Sequence, residues 1–255
     1  MIDKPRPVAL ITGVGRRAGL GFAVAERLAQ DGFDIAVTHW ATYDERMPWG
    51  ADAGIDDAVS ESLSRADVNY FSVAANFESA DAPANLIDEV EAKLGPISVL
   101  VLCHCESVNT CLLDTTVESF DRHMAVNARA CMLLMGAFAR RFSAEPGRGR
   151  IVALTSDAVV GNVPYGASKA ALDRIVVAAA HEFGHLGITV NALNPGPTQT
   201  GWMTTKMQEV VVRDTPLGRL GTAQDVANVV GFLCSPEGGW VNGQILHSNG
   251  GLYER

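Results

Sequence analysis

Apolar residues along the chain follow two alternating spacings. Val8-Ala9-Leu10-Ile11 is short and continuous, as in a strand buried on both faces. A glycine-rich turn follows. Phe22-Ala23-Val24-Ala25-Glu26-Arg27-Leu28-Ala29 then repeats with helical spacing and ends at Gly32. The same alternation predicts strands over 34–38, 69–74, 97–102, 150–155, 188–193 and 243–247, and helices over 55–66, 82–94, 116–142, 164–185, 203–212 and 222–235. Strands separated by helices require right-handed crossovers, which give an α/β fold with a doubly wound parallel sheet of about seven strands covered on both faces. No linker, repeat or low-complexity segment interrupts the pattern, so residues 1–255 are expected to form one domain. The least regular stretch, 39–54, reads as a loop beside the second strand.

Composition narrows the function classes. Of 255 residues, 47% are hydrophobic and 19% charged, enough apolar material for one large core. The net charge is −9 and no run of Lys or Arg stands out, which argues against nucleic acid and acidic membrane surfaces as partners. No apolar stretch is long enough to span a bilayer. Met1-Ile2-Asp3-Lys4-Pro5-Arg6-Pro7 leads directly into the first strand without the features of a secretory signal. Five cysteines suit a reducing, cytoplasmic setting better than a disulfide framework. Cys103-His104-Cys105 contains ligand-type residues, but no second cluster has suitable spacing. It reads as the end of a buried strand, and no metal is expected.

Two constellations carry chemistry. Thr12-Gly13-Val14-Gly15-Arg16-Arg17-Ala18-Gly19-Leu20-Gly21 joins the first strand to the first helix. Glycines there let the backbone approach a pyrophosphate, and the helix start offers free N–H groups and a positive dipole end. At the end of the second strand, Val37-Thr38-His39-Trp40 holds no carboxylate for ribose hydroxyls, and none follows until Asp44. Arg16 and Arg17 offer guanidinium groups suited to a 2′-phosphate. These features predict NADP(H) rather than NAD(H), in a Rossmann-type domain. Further along, Tyr165 and Lys169 stand four positions apart, one turn above each other on a helix face. The ammonium is expected to lower the phenol pKa from roughly 10, allowing proton delivery near neutral pH.

Taken in order, Gly13, Gly19-Leu20-Gly21, Asn127, Ser156, Tyr165, Lys169 and Pro195-Gly196 resemble the short-chain dehydrogenase/reductases along nearly the whole chain. The run Pro216-Leu217-Gly218-Arg219-Leu220-Gly221, with Asp225-Val226-Ala227 and Gly250-Gly251, is similar to the branch that includes beta-ketoacyl carrier-protein reductases. The resemblance implies that Tyr165 is the general acid in reduction and the base in oxidation. Lys169 would tune it and hold the nicotinamide ribose. Ser156 would bind the substrate carbonyl. Asn127 would kink its helix and hold a water linking Lys169 to solvent. Asn76 would contact adenine, with Phe77, His39 and Cys103 nearby in the cofactor site. Pro195, Gly196, Thr198 and Thr200 would meet the nicotinamide end.

The chain also departs from the family pattern. Its glycine-rich turn is longer than the commonest spacing and is similar to that of the enoyl-reductase branch, which spaces Tyr and Lys differently. Leu102-Cys103-His104-Cys105 replaces the usual Asn-Asn-Ala-Gly, with Glu106 and Ser107 facing the substrate mouth. Residues 157–164, between Ser156 and Tyr165, form a shortened loop, which predicts a pocket more open on that side. Segment 197–215, with Trp202, Met203 and Met207, is expected to be a mobile lid. The expected activity is NADPH-dependent reduction of a ketone to a secondary alcohol. A beta-ketoacyl thioester on a carrier protein would need a basic landing patch, for which only Lys206, Arg213 and Arg129 are available, so a free biosynthetic ketone is favoured. The alternative is a catalytically silent NADP sensor. The resemblance further implies a homotetramer or homodimer paired through 116–142 and 164–185.

Overall fold

The computed structural model describes residues 6–145 and 147–252; the remaining residues of the expected 1–255 domain lie outside that range. The elements in order are β1 (Val8–Thr12), α1 (Leu20–Gln30), β2 (Asp34–His39), α2 (Ala41–Glu45), α3 (Ile55–Leu63), β3 (Tyr70–Ala74), α4 (Ala82–Leu94) and β4 (Ile97–Leu102). They continue with α5 (Val117–His123), α6 (Ala130–Arg141), β5 (Gly149–Leu154), α7 (Val163–Phe183), β6 (Ile188–Asn194), α8 (Thr205–Asp214), α9 (Ala223–Cys234) and β7 (Ile245–His247).

The sheet has seven parallel strands in the order β3-β2-β1-β4-β5-β6-β7. Successive strand side chains point to opposite faces, so β1 feeds two cores. Ala9 and Ile11 join Val24, Leu28, Val226 and Val230 beneath α1 and α9. Val8 and Leu10 join Ile87, Leu134, Phe138, Leu172 and Val176 beneath α4, α6 and α7. A fully buried Leu, Ile or Phe of this kind contributes about 1.5–3 kcal/mol over exposure. Because both faces are covered, the central strands read as unbroken apolar runs rather than alternating ones. The strand order reverses between β1 and β4, and in open sheets of this kind the crevice outside the carboxyl ends of those strands is where ligands bind.

Two elements differ from the pattern-based expectation. Segment 39–54 holds the five-residue helix α2, whose only buried residue is Asp44, so it carries no apolar periodicity to betray it. The long helix expected over 116–142 is continuous but not uniformly α: Met124–Arg129 forms a π-turn between α5 and α6, and Asn127 lies in it. Asn127 thus lies in a break of regular α geometry.

Candidate active site

A cavity of ≈ 910 Å³ opens at the carboxyl ends of the strands. One end is the glycine-rich turn, lined by Gly13, Gly15, Arg16, Gly19, Leu20 and Gly21. Gly13 has φ +75°, and a Cβ there would come within 2.6 Å of the His104 backbone. At Gly21 a Cβ would lie 2.8 Å from the Gly13 carbonyl oxygen. These positions keep the turn flat against β4. The amino terminus of α1 has Gly19 as its cap and no side-chain cap bond, so its first N–H groups are available to an anion. The cavity then runs past Asn76, Phe77 and Cys103 to Tyr165, and past Pro195, Gly196, Thr198 and Thr200. A flat glycine turn, a free helix start and a long cleft fit a dinucleotide.

Tyr165 lies on the first turn of α7 and lines the cavity. Lys169 is buried one turn further on. Its Nζ is 5.7 Å from the Tyr165 ring centroid and donates a 2.7 Å hydrogen bond to the Leu154 carbonyl. The Tyr165 phenol is raised above its usual pKa: burial raises it and outweighs the lowering by Lys169 and by a hydrogen bond with Ser156. The expectation of a net lowering is thereby corrected, because desolvation of the phenolate exceeds the help from one ammonium. The phenol is protonated near neutral pH. Burial pulls Lys169 down, but Tyr165 and the thiols of Cys105, Cys131 and Cys103 pull it further up, so it stays charged.

The shortened loop lies directly on α7. A Cβ at Gly166 would meet the Ala158 carbonyl oxygen at 2.7 Å and Val159 Cα at 3.0 Å. This close seating brings Ser156 to Tyr165; the Ser156 hydroxyl also accepts the Ala158 N–H at 3.1 Å. Asn127 is fully buried. Its Oδ1 accepts the Glu106 N–H and its Nδ2 donates to the Glu106 carbonyl, both at 2.8 Å. Nδ2 also donates to Ser168 Oγ at 2.8 Å. Asn127 therefore clamps the segment after β4 to the helices. Asn127 and Lys169 are buried and do not line the cavity, whereas Ser156 is half-buried and hydrogen-bonds Tyr165, which does line it.

His104 takes over the bonding of the altered segment. Its Nε2 faces the Val126 carbonyl at 3.1 Å and its Nδ1 faces Thr12 Oγ1 at 2.6 Å. A carbonyl only accepts, so Nε2 carries the proton and Nδ1 accepts from the hydroxyl. Burial drives the ring pKa down to about 3, which keeps the imidazole neutral. The ring also packs on Phe77, with centroids 4.2 Å apart. Burial likewise pushes the Cys103 and Cys131 thiols up to about 12. Among the described residues no group of three or more His, Cys, Asp or Glu side chains is arranged to hold a metal ion.

The remaining wall comes from residues 40–49, and here the sequence reading fell short. Trp40, Tyr43, Asp44, Arg46 and Trp49 all line the cavity. Asp44 folds back over the turn: its Oδ1 is 3.7 Å from Arg16 Nε and accepts from Trp49 Nε1 at 2.9 Å. Burial raises its carboxyl pKa despite these partners. The Arg16 guanidinium sits 4.6 Å over the Trp49 ring and donates to the Thr200 carbonyl at 2.9 Å. Trp49 in turn packs on Trp202 with centroids 4.8 Å apart. Two expected cofactor residues point elsewhere. Arg17 turns to Asp52 and the Gly54 carbonyl because that loop offers a carboxylate at close range. His39 faces Asp56 at 3.5 Å and Ser72 at 3.4 Å rather than the cavity. Trp202, Met203 and Met207 also line the cavity, Trp202 against the 40–49 wall, and α8 buries none of its side chains.

Comparisons with known proteins agree with this geometry. A family model described as enoyl-(acyl carrier protein) reductase matches residues 13–253. The chain is 36% identical to an uncharacterized oxidoreductase, YjdA, of Bacillus subtilis, covering 99% of each. It is 31% identical to a 3-oxoacyl-(acyl-carrier-protein) reductase, FabG, of Staphylococcus aureus, covering 96% of this chain and 97% of that one. A solved short chain dehydrogenase from Burkholderia cenocepacia in complex with NADP superposes with a TM-score of 0.85 at 31% identity, covering 96% and 97% of the two chains.

Proposed function

The chain belongs to the short-chain dehydrogenase/reductase family, and on that premise we propose that it is an NADPH-dependent reductase that converts a ketone to a secondary alcohol. The observation that carries this reading is Tyr165, protonated and backed by Lys169, at the far end of a cavity that starts at a free helix terminus. The NADP complex of a structural neighbour and Arg16 at the turn support NADP(H) as the cofactor. The α1 N–H groups would take the pyrophosphate, and Arg16 the 2′-phosphate. Asn76 and Phe77 would flank the adenine end, with Pro195, Gly196, Thr198 and Thr200 at the nicotinamide. When bound, NADPH supplies the hydride.

The chain's own residues then hold and move the proton. Ser156 donates a hydrogen bond to the substrate carbonyl oxygen and orients it. Tyr165 delivers its phenolic proton to that oxygen as negative charge develops there. Lys169 stabilises the tyrosinate that remains, more in the transition state than before it. Asn127 holds Glu106 and with it the backbone beside the reacting end. The family-model description names enoyl reduction, but the four-residue spacing of Tyr165 and Lys169 favours carbonyl reduction.

The setting we propose is the cytoplasm, consistent with five unpaired cysteines. Met132 on α6 and Val177 on α7, both roughly half exposed, suit subunit pairing through those helices into a homodimer or homotetramer. Among the described residues no helix is long and apolar enough to cross a membrane.

NADPH and NADH oxidation should be followed over beta-ketoacyl thioesters, cyclic ketones and diketones. Turnover with NADPH is expected, and Tyr165→Phe should lower kcat by about 10²–10⁴-fold while NADPH still binds. Unchanged turnover in the variant would overturn the mechanism. NADPH binding with no turnover on any carbonyl would favour the sensor reading.

A further inference from the structure

The cavity wall built by residues 40–49 and the segment after β4 contains an ion pair that the proposed chemistry does not use. Arg46 Nη2 meets Glu106 Oε2 at 2.9 Å, and Nη1 meets Oε1 at 3.2 Å, the two-pronged geometry of a guanidinium on a carboxylate. Glu106 is 3% exposed, far too buried for an ordinary surface carboxylate, while the Arg46 side chain is 35% exposed. Both line the cavity, with Tyr43, Ser107 and Asn109 beside them. The pair sits close to the reacting end. Glu106 directly precedes Ser107, whose Oγ accepts a 3.2 Å hydrogen bond from Asn162 at the start of α7, the helix that carries Tyr165. Its backbone is also held on both sides by Asn127.

We propose that Arg46 and Glu106 form a substrate subsite that selects a ketone carrying a second, neutral hydroxyl group. The inference rests on the reductase reading and names its substrate class. A substrate anion drawn to Arg46 would strip Glu106 of its partner and leave a buried carboxylate facing another negative charge. A substrate cation at Glu106 would leave Arg46 repelled. A hydroxyl meets neither penalty: it donates to a free lone pair of Glu106 and accepts one of the two Arg46 Nη–H groups not aimed at the carboxylate, the Nε–H being taken by the Thr42 carbonyl at 3.3 Å. The Trp40 and Tyr43 side chains line the same wall and suit the apolar part of a ring bearing such groups, with the Arg46 guanidinium 5.6 Å over the Tyr43 ring. A long saturated acyl chain would instead bury this pair against methylenes and leave its remaining donors and acceptors unmet.

The test is a discrimination ratio. kcat/KM is measured with NADPH for matched pairs, 2-hydroxycyclohexanone against cyclohexanone and 4-hydroxy-1-tetralone against 1-tetralone. The hydroxylated member is expected to lead by at least about tenfold, the size of a hydrogen bond to a charged group. Glu106→Gln and the double variant Arg46→Met with Glu106→Gln should collapse that ratio toward one. A purely structural pair would lower both members together and leave the ratio standing, and that result overturns the proposal. Should no ketone turn over, the reductase reading fails on its own, and calorimetry on the NADP-loaded protein decides the subsite. Cyclohexane-1,2-diol binding at least about tenfold tighter than cyclohexanol would uphold it, and equal affinities would sink it.

Discussion

The floor and the wall of the cavity are held in opposite ways. At the floor, polar side chains are anchored mainly to main chain: Lys169 to the Leu154 carbonyl, Asn127 to both backbone groups of Glu106, His104 to the Val126 carbonyl. At the wall, side chains are held mainly by side chains: Arg46 on Glu106, Arg16 beside Asp44 and over Trp49, Trp49 on Trp202. A backbone anchor survives most changes of neighbouring residues, whereas a side-chain pair fails when either member is replaced. Proton transfer is thus tied to the fold itself, and recognition is left to residues that can be exchanged without disturbing it.

The sharpest way to break this contrast is at the floor. Lys169→Met removes the charge that lowers the Tyr165 phenol, so the phenol pKa should rise further. In reduction, which needs the protonated phenol, the alkaline limb of the pH–rate profile should move to higher pH. In oxidation, which needs the phenolate, the acid limb should move the same way, and kcat at neutral pH should fall by about 10²–10⁴-fold. Limbs that stay put would detach Lys169 from the proton path.

A smaller effect separates two neighbouring arginines. Arg16→Ala should weaken NADPH relative to NADH by about 10–100-fold, as expected for loss of a charge-assisted bond. Arg17→Ala should stay within about fivefold, because that exposed guanidinium is already committed to Asp52. Cofactor titrations that rank the two equally would place phosphate selection elsewhere. Least is expected of Trp49→Ala, which loses a ring stack worth about 0.5–1.5 kcal/mol beyond its buried area. Calorimetry should show a lower Tm, while the pH limbs set by Tyr165 and Lys169 stay where they are. A shift in those limbs would mean that wall and floor are mechanically coupled.

The same contrast decides what could be read in advance. The sheet, its crossovers and the Tyr165–Lys169 pair follow from local spacing, because a strand face or a helical turn is written within a few residues. The partners of Arg46 and Trp49 lie 60 and 153 positions away, and no short-range periodicity signals such contacts. Arg17 looked equal to Arg16 because the sequence does not show that Asp52 lies beside one and not the other. The end of β2 carries no acid, yet Asp44 reaches the glycine turn from α2, the helix directly after that strand; Gly15 could not carry a Cβ without meeting it at 2.6 Å. The direction of the Tyr165 titration is not legible in the sequence, which displays a charged neighbour but not depth of burial.

The π-turn at Met124–Arg129 has a consequence for tracing descent. A wider turn holds one residue more than the helix around it needs, and each added residue rotates everything downstream by about 100°. Residues 117–123 and 130–141 are therefore written in two different phases, and no single heptad or helical wheel describes both. An alignment that slides one residue anywhere in this stretch would exchange buried positions for exposed ones on one side of the turn and leave the other intact. The turn thus acts as a phase shift kept inside a helix, and Asn127 lies in it.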